Sequence, residues 1–128
     1  MDVGLVEVGA LLHDIGRGQT HSIRHGVVGG EVARGLGLPG SVVRIVERHI
    51  GAGIPAGEAT ELGLPGVDFI PESLEEKLVA YADKLTDRGR EIDFSVTVGW
   101  YERRHGRDHP SVGRLLALDA EMRGLLGG

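Results

Sequence analysis

The chain contains no cysteine, which excludes a disulfide framework, a thiolate zinc knuckle and thiol catalysis together. It has no asparagine and a single glutamine, Gln19. Aromatic residues are 4% of the sequence and strict apolar–polar alternation is scarce, so strands have little support. No apolar run approaches the ~18 residues of a membrane span. Met1-Asp2-Val3-Gly4 is not the charged start of a cleavable leader. An intracellular, cytoplasmic protein with no membrane partner is expected. Positive charge is in deficit, with 14 basic against 19 acidic residues and a net charge of −5. A general nucleic-acid binder is usually basic, so no nucleic-acid polymer is expected as a partner. A small anionic substrate stays compatible, because a local metal or arginine overrides the net charge. Arginine outnumbers lysine 12 to 2. Scarcity of Asn, Gln, Cys and Met is a tendency of heat-stable proteins, although their lysine enrichment is absent. The 128 residues, 13.6 kDa in mass, are expected to form one domain with one core.

What is abundant is glycine, 22 residues, and helical periodicity. Leu5–Leu12 carries one charge in eight residues, the pattern of a central buried helix. Gly16 is read as a C-terminal stop shortly after it. A second helix is expected from about Ile23 to Leu36. A third, capped by Ser41, runs from Val42 to about Ile50 and places Val42, Ile45, Val46 and His49 on one face. Residues 51–72 are irregular, with a short helix at Glu58–Leu62. Ser73-Leu74-Glu75-Glu76 is a capping box that starts a helix through about Thr86. Helices follow at Ser95–Arg104 and after Pro110, the latter on Leu115, Leu118, Met122 and Leu125 and extending to residue 126. The fold class is therefore all-α, a bundle of about six helices.

The chemistry-bearing residues sit against apolar faces. His13 and Asp14 end the first helix. His25 shares a face with Val28, Gly29 and Val32, His49 with Val42, Ile45 and Val46, and Asp83 lies beside Val79 and Ala80. One buried histidine is satisfied by one backbone carbonyl, but a desolvated aspartate needs pairing or a metal. Five such groups on four helices are satisfied together by convergence on a cation, as helix bundles often arrange. With His and Asp ligands and no thiolate, the fitting metals are Fe, Mn, Zn, Co or Ni, as one or two divalent ions.

His13-Asp14-Ile15-Gly16 resembles the HDIG motif of the HD-domain superfamily of metal-dependent phosphohydrolases. The context strengthens the likeness: Ile23-Arg24-His25-Gly26 opens the next helix, Glu47-Arg48-His49 ends the third, and Ala82-Asp83 closes the series, in steps of 12, 24 and 34 residues. The series is similar to the binuclear branch, to small archaeal HDIG proteins and to bacterial diadenosine tetraphosphate hydrolases, over roughly residues 4–88. The resemblance implies an HD-domain helical bundle in which His13 and Asp83 bind one metal, His25 and His49 a second, and Asp14 bridges both. It implies hydrolysis of a phosphate ester of a nucleotide or other small molecule by metal-bound hydroxide. Arg17 is the first choice for a substrate-phosphate contact beside Asp14, with Lys84 as a second. Against Arg17 stands its reading as a solvated helix-end arginine. His21 reads as an exposed loop residue, and His105 and His109 receive no role.

The family pattern opens with a histidine upstream of the HD pair, and only twelve residues, none of them histidine, precede His13. Three readings stay open: a start downstream of the natural one, a site working with one ligand fewer, or a neighbouring copy supplying His105 or His109. A first helix lacking a neighbour would expose apolar surface, so a homo-oligomer is expected. The alternative function is a non-catalytic nucleotide- or metal-binding regulatory module.

Overall fold

The computed structural model describes residues 1–125 and 127, and the expected helical position 126 lies outside them. Among the described residues there are seven α-helices and one short 3-10 turn, against the six helices expected. The helices are α1 Val3–Leu12, α2 His25–Gly35, α3 Gly40–Glu47, α4 Ala56–Glu61, α5 Leu74–Lys84, α6 Phe94–His105 and α7 Pro110–Leu125, with the 3-10 turn at Ile15–Gly18. The all-α class holds. No helix is long and apolar enough to cross a membrane among the described residues.

The boundaries follow from local chemistry. Asp2 caps α1 by accepting from the Leu5 N–H at 3.0 Å. Ser73 caps α5 by accepting from the Glu76 N–H at 3.1 Å. The return half of that capping box is displaced by one residue, because the Glu76 carboxylate accepts from Glu72 N–H instead of Ser73. Ser41 does not cap α3; it lies inside the helix, and Pro39 holds the cap position. Asp93 caps α6 through the Ser95 N–H, which carries the helix past its β-branched start.

α2 and α3 pack side by side, α1 lies across α3 and α5, and α5 joins α7, which packs on α6. The α2–α3 approach is close because Gly29 has no side chain: a Cβ there would stand 2.7 Å from Val46 Cγ1. One apolar cluster gathers Ala80, Tyr81, Phe94, Leu115, Leu118 and Met122 from α5, α6 and α7. A second, of Val27, Ile54, Ala59, Leu64 and Phe69, anchors the 51–72 stretch. There an isolated antiparallel bridge pairs Ile54 with Phe69. Leu125, expected on the buried face of α7, is exposed.

Two expectations fail at the N-terminal end. α1 is not a central buried helix: only Gly9 is buried, and Leu11 is 84% exposed. Val3, Val8 and Leu11 face solvent, so the apolar surface expected from a missing neighbour is present. Gly16 is not a C-cap either. α1 ends at Leu12, and Gly16 sits buried inside the 3-10 turn against the first turn of α2. A hairpin absent from the sequence reading pairs β1 Thr86–Asp87 with β2 Arg90–Glu91. Its turn residues Arg88 and Gly89 both have positive φ, 52° and 78°.

Glu76 is a buried acid made tolerable by its partners. Burial pushes its carboxyl upward, and Arg48 at 2.7 Å with the Glu72 and Ser73 hydrogen bonds outweighs that, so the carboxyl titrates below its ordinary value. Its contribution is present above the unfolded carboxyl pKa and lost as pH falls through the lower folded value. Glu76→Gln should cost about 3 kcal/mol at neutral pH, as expected for breaking a buried pair. Chemical denaturation at pH 7 and pH 3 checks this, because the difference between wild type and variant must shrink at the lower pH.

Candidate metal centre

Three histidines reach one point from three separate chain segments, and each is oriented by the same device. His13 Nδ1 donates to Ala10 O at 2.7 Å, His25 Nδ1 to Ser22 O at 2.9 Å and His49 Nδ1 to Val46 O at 2.6 Å. Each acceptor is the carbonyl three residues back, near a helix or turn end; the Ser22 carbonyl takes the His25 backbone N–H on its second lone pair. With Nδ1–H spent on the backbone, each neutral ring turns a bare Nε2 lone pair toward the others. His25 Nε2 and His49 Nε2 stand 3.0 Å apart, and the rings of His13 and His49 meet edge to face at 4.8 Å.

The two carboxylates complete the cluster. Asp83 Oδ1 lies 3.1 Å from His13 Nε2. Asp14 divides its oxygens: Oδ2 is 3.4 Å from His13 Nε2, while Oδ1 is 3.3 Å from His25 Nε2 and 3.2 Å from His49 Nε2. Asp14 Oδ1 is buried and has no hydrogen-bond partner. The five residues selected from the sequence are thus brought together, and they group as His13 with Asp83 and as His25 with His49, with Asp14 between.

The electrostatics set the carboxylates and the imidazoles against each other. His25 and His49, with the charge of His13, draw the Asp14 carboxyl far below the carboxylate range, against the opposing effect of burial. That stabilisation requires protonated rings. Burial, however, pushes His49 down despite its contact with Asp14, and the Lys84 charge pushes the same way. His13 goes the other way: burial lowers it, and Asp83, the Ala10 carbonyl and Asp14 together outweigh that and raise it. Asp83 is held low by His13 and Lys84 against the effect of burial. Lone pairs facing lone pairs around an orphaned buried carboxylate oxygen are the donor set of a divalent metal. Donor atoms of His13, Asp14 and His49 lie within 4.8 Å of one another, a group able to hold an ion.

Arg17 is exposed at the mouth, its Nε 3.3 Å from Asp14 Oδ1. Lys84 is placed differently from the expectation of a substrate contact. Its ammonium is buried and its three protons are directed to His49 O at 2.8 Å, Asp83 Oδ2 at 2.8 Å and Ala80 O at 3.3 Å. It ties His49 to Asp83 rather than facing solvent. His21 is exposed, as expected. The cluster forms the floor of an open cleft of about 730 Å³ whose far wall carries Arg88 and Trp100. Trp100 had not been singled out from the sequence; the only signal for it was that it is the chain's single tryptophan.

Comparison with known proteins agrees with this geometry. A family model described as HD domain matches residues 1–87. An uncharacterized protein of Methanocaldococcus jannaschii is 49% identical over 98% of this chain and 75% of its own length. A tRNA (cytidine(56)-2'-O)-methyltransferase of Picrophilus torridus is 43% identical over 98% of this chain, which spans 36% of that protein. Ribonuclease Y of Acidothermus cellulolyticus is 33% identical over 66% of this chain and 18% of its own length. No solved structure matches the chain.

Proposed function

The chain belongs to the HD-domain family, and from that premise we propose that it is a metal-dependent phosphohydrolase acting on a phosphate ester of a nucleotide or similar small molecule. One observation carries the reading: three backbone-locked imidazoles and two carboxylates converge on a point where a buried Asp14 oxygen has no hydrogen-bond partner. His13 and Asp83 would hold one ion, His25 and His49 another, and Asp14 would touch both. Fe, Mn, Zn, Co and Ni all suit this donor set. When bound, such ions supply an acidified water and neutralise phosphoryl charge.

The chain's own residues supply the rest. The Ala10, Ser22 and Val46 carbonyls fix the histidine tautomers. Lys84 keeps Asp83 turned toward His13 and is proposed as a positioning residue in place of a substrate contact. Arg17, at the mouth, is placed to meet a phosphate with its planar fork. In the overall reaction a water oxygen forms the new P–O bond, the ester P–O bond breaks, and the leaving alcohol takes up a proton.

The test is hydrolysis of a panel of nucleotide and simple phosphate esters by chain loaded in turn with each of the five metals. Turnover of at least one ester is expected. Full metal occupancy with no turnover overturns the hydrolase reading in favour of a regulatory module. RNA enters as a partner class here, because one relative is named as a tRNA methyltransferase and another as a ribonuclease. Metal affinity should fall on acidification around the ordinary imidazole pKa of ~6.5. His13, whose pKa is raised, is protonated before the buried His49, whose pKa is lowered. Isothermal titration at several pH values reads this directly, and a flat profile contradicts it.

The exposed Val3, Val8 and Leu11 of α1 support self-association. We propose that a second copy of the chain covers this face of one domain spanning residues 1–128. Light scattering should show a dimer or larger species, and Leu11→Glu should dissociate it. A monomer at high concentration removes the proposal.

A further inference from the structure

The metal cleft does not end at its far wall. It shares Arg17, Ile50, Gly51, Trp100 and Tyr101 with a second open groove of about 1030 Å³. Pockets of ~300–1,000 Å³ already enclose a drug-sized molecule, so each section alone has room for a nucleotide-sized group. The second groove is basic on a chain that is acidic overall. α6 contributes Arg103, Arg104 and His105, and Arg17 lies at the junction. Arg103 and Arg104 are exposed, and among the described residues neither is engaged in an ion pair. Two acids also line the groove. Glu58 is neutralised by Arg114, which grips it with two hydrogen bonds of 2.8 Å. Glu61 is left as the opposing charge.

Trp100 stands at the junction, 44% exposed. An indole beside unpaired guanidiniums is the combination that takes a base on the ring and its phosphate on the arginines. These residues lie beyond the segment matched by the HD-domain model.

We infer that the groove along α6 is a second nucleotide-binding subsite, with Trp100 stacking a base and Arg103 and Arg104 holding its phosphate. The preferred substrate then has two nucleotide units joined through phosphate, one of them placing the scissile group over the metal centre. This rests on the hydrolase reading for the scissile step, but the groove itself is testable without turnover.

Trp100 is the chain's single tryptophan, so its fluorescence reports occupancy of the groove. The chain is titrated with AMP, with adenylyl-adenosine and with diadenosine tetraphosphate. At least one two-unit ligand is expected to quench at roughly tenfold lower concentration than AMP, the order of one added stacking contact. The tighter of the two identifies the linkage as phosphodiester or polyphosphate. Arg103→Ala/Arg104→Ala should weaken the two-unit ligand roughly tenfold and flatten its salt dependence. Trp100→Ala should raise KM for that ligand similarly, and Trp100→Phe, which keeps a ring to stack on, should restore it to within about twofold. Equal quenching by AMP and both two-unit ligands, or binding indifferent to the double variant, overturns the subsite. Preferential quenching without hydrolysis of any ester keeps the subsite and removes the hydrolase reading; turnover without preference does the reverse.

Discussion

Asp14→Ala is expected to eliminate phosphate-ester hydrolysis by about a thousandfold or more, at least the loss seen when one charge-stabilising group is removed from an active site. Asp14 turns its carboxylate oxygens to both pairs, Oδ2 toward His13 and Oδ1 toward His25 and His49. Its removal leaves two half-sites with nothing between them. A second readout separates loss of the ion from loss of the fold. In wild type, metal at a hundred times its Kd adds about 2.7 kcal/mol of stability. For a chain of this length that is a Tm gain of roughly 8–16 °C. The variant should fold and show no such gain. Asp14→Asn is the sharper control, since it keeps the shape and removes the charge. A variant that retains both the metal-induced shift and turnover contradicts the assignment of Asp14.

The largest loss of stability is expected from Gly16→Ala. A Cβ at Gly16 would overlap the His25 carbonyl oxygen and stand 2.6 Å from Gly29 N and 2.9 Å from His25 C. All three are backbone atoms of α2, so no side chain can turn away to make room. Relief requires moving the 3-10 turn off α2, which carries Asp14 away from His25. A destabilisation of about 3–5 kcal/mol is expected, at the upper end of single substitutions, together with loss of metal affinity in whatever remains folded. Gly18→Ala is the comparison: its Cβ would meet nothing within 4 Å, and less than about 1 kcal/mol should change. Similar melting temperatures for the two variants would falsify the packing account.

These two glycines show what the sequence discloses and what it hides. The residues of the candidate site were legible because each polar group interrupts an apolar helical face, and a shared partner accounts for several such interruptions together. The role of Gly16 was misread as a helix stop. A glycine required by close approach and one required by positive φ look the same in one dimension, and the close approach is made by α2, residues away in the chain. The exposure of α1 was legible only in part: Leu5–Leu12 reads as a central buried helix, because an apolar stretch reports what burial would favour and not whether a neighbour is present. The hairpin escaped notice because Arg88-Gly89 is not the usual Asn-Gly or Asp-Gly pair. Lys84 was misplaced for a related reason: its sequence neighbours show a helix end but not that the His49 carbonyl lies within reach.

The three carbonyl anchors on the histidines also have an entropic consequence. A free imidazole samples several rotamers and two tautomers, and closing a ring of such ligands around an ion means giving that freedom up at the moment of capture. Here the chain has already given it up during folding. An arriving ion would meet a cage whose rotors are stopped, so exchanging one metal for another would replace the guest and leave the host unmoved. Selection among metals then falls to the fit of each ion's preferred geometry to a fixed frame.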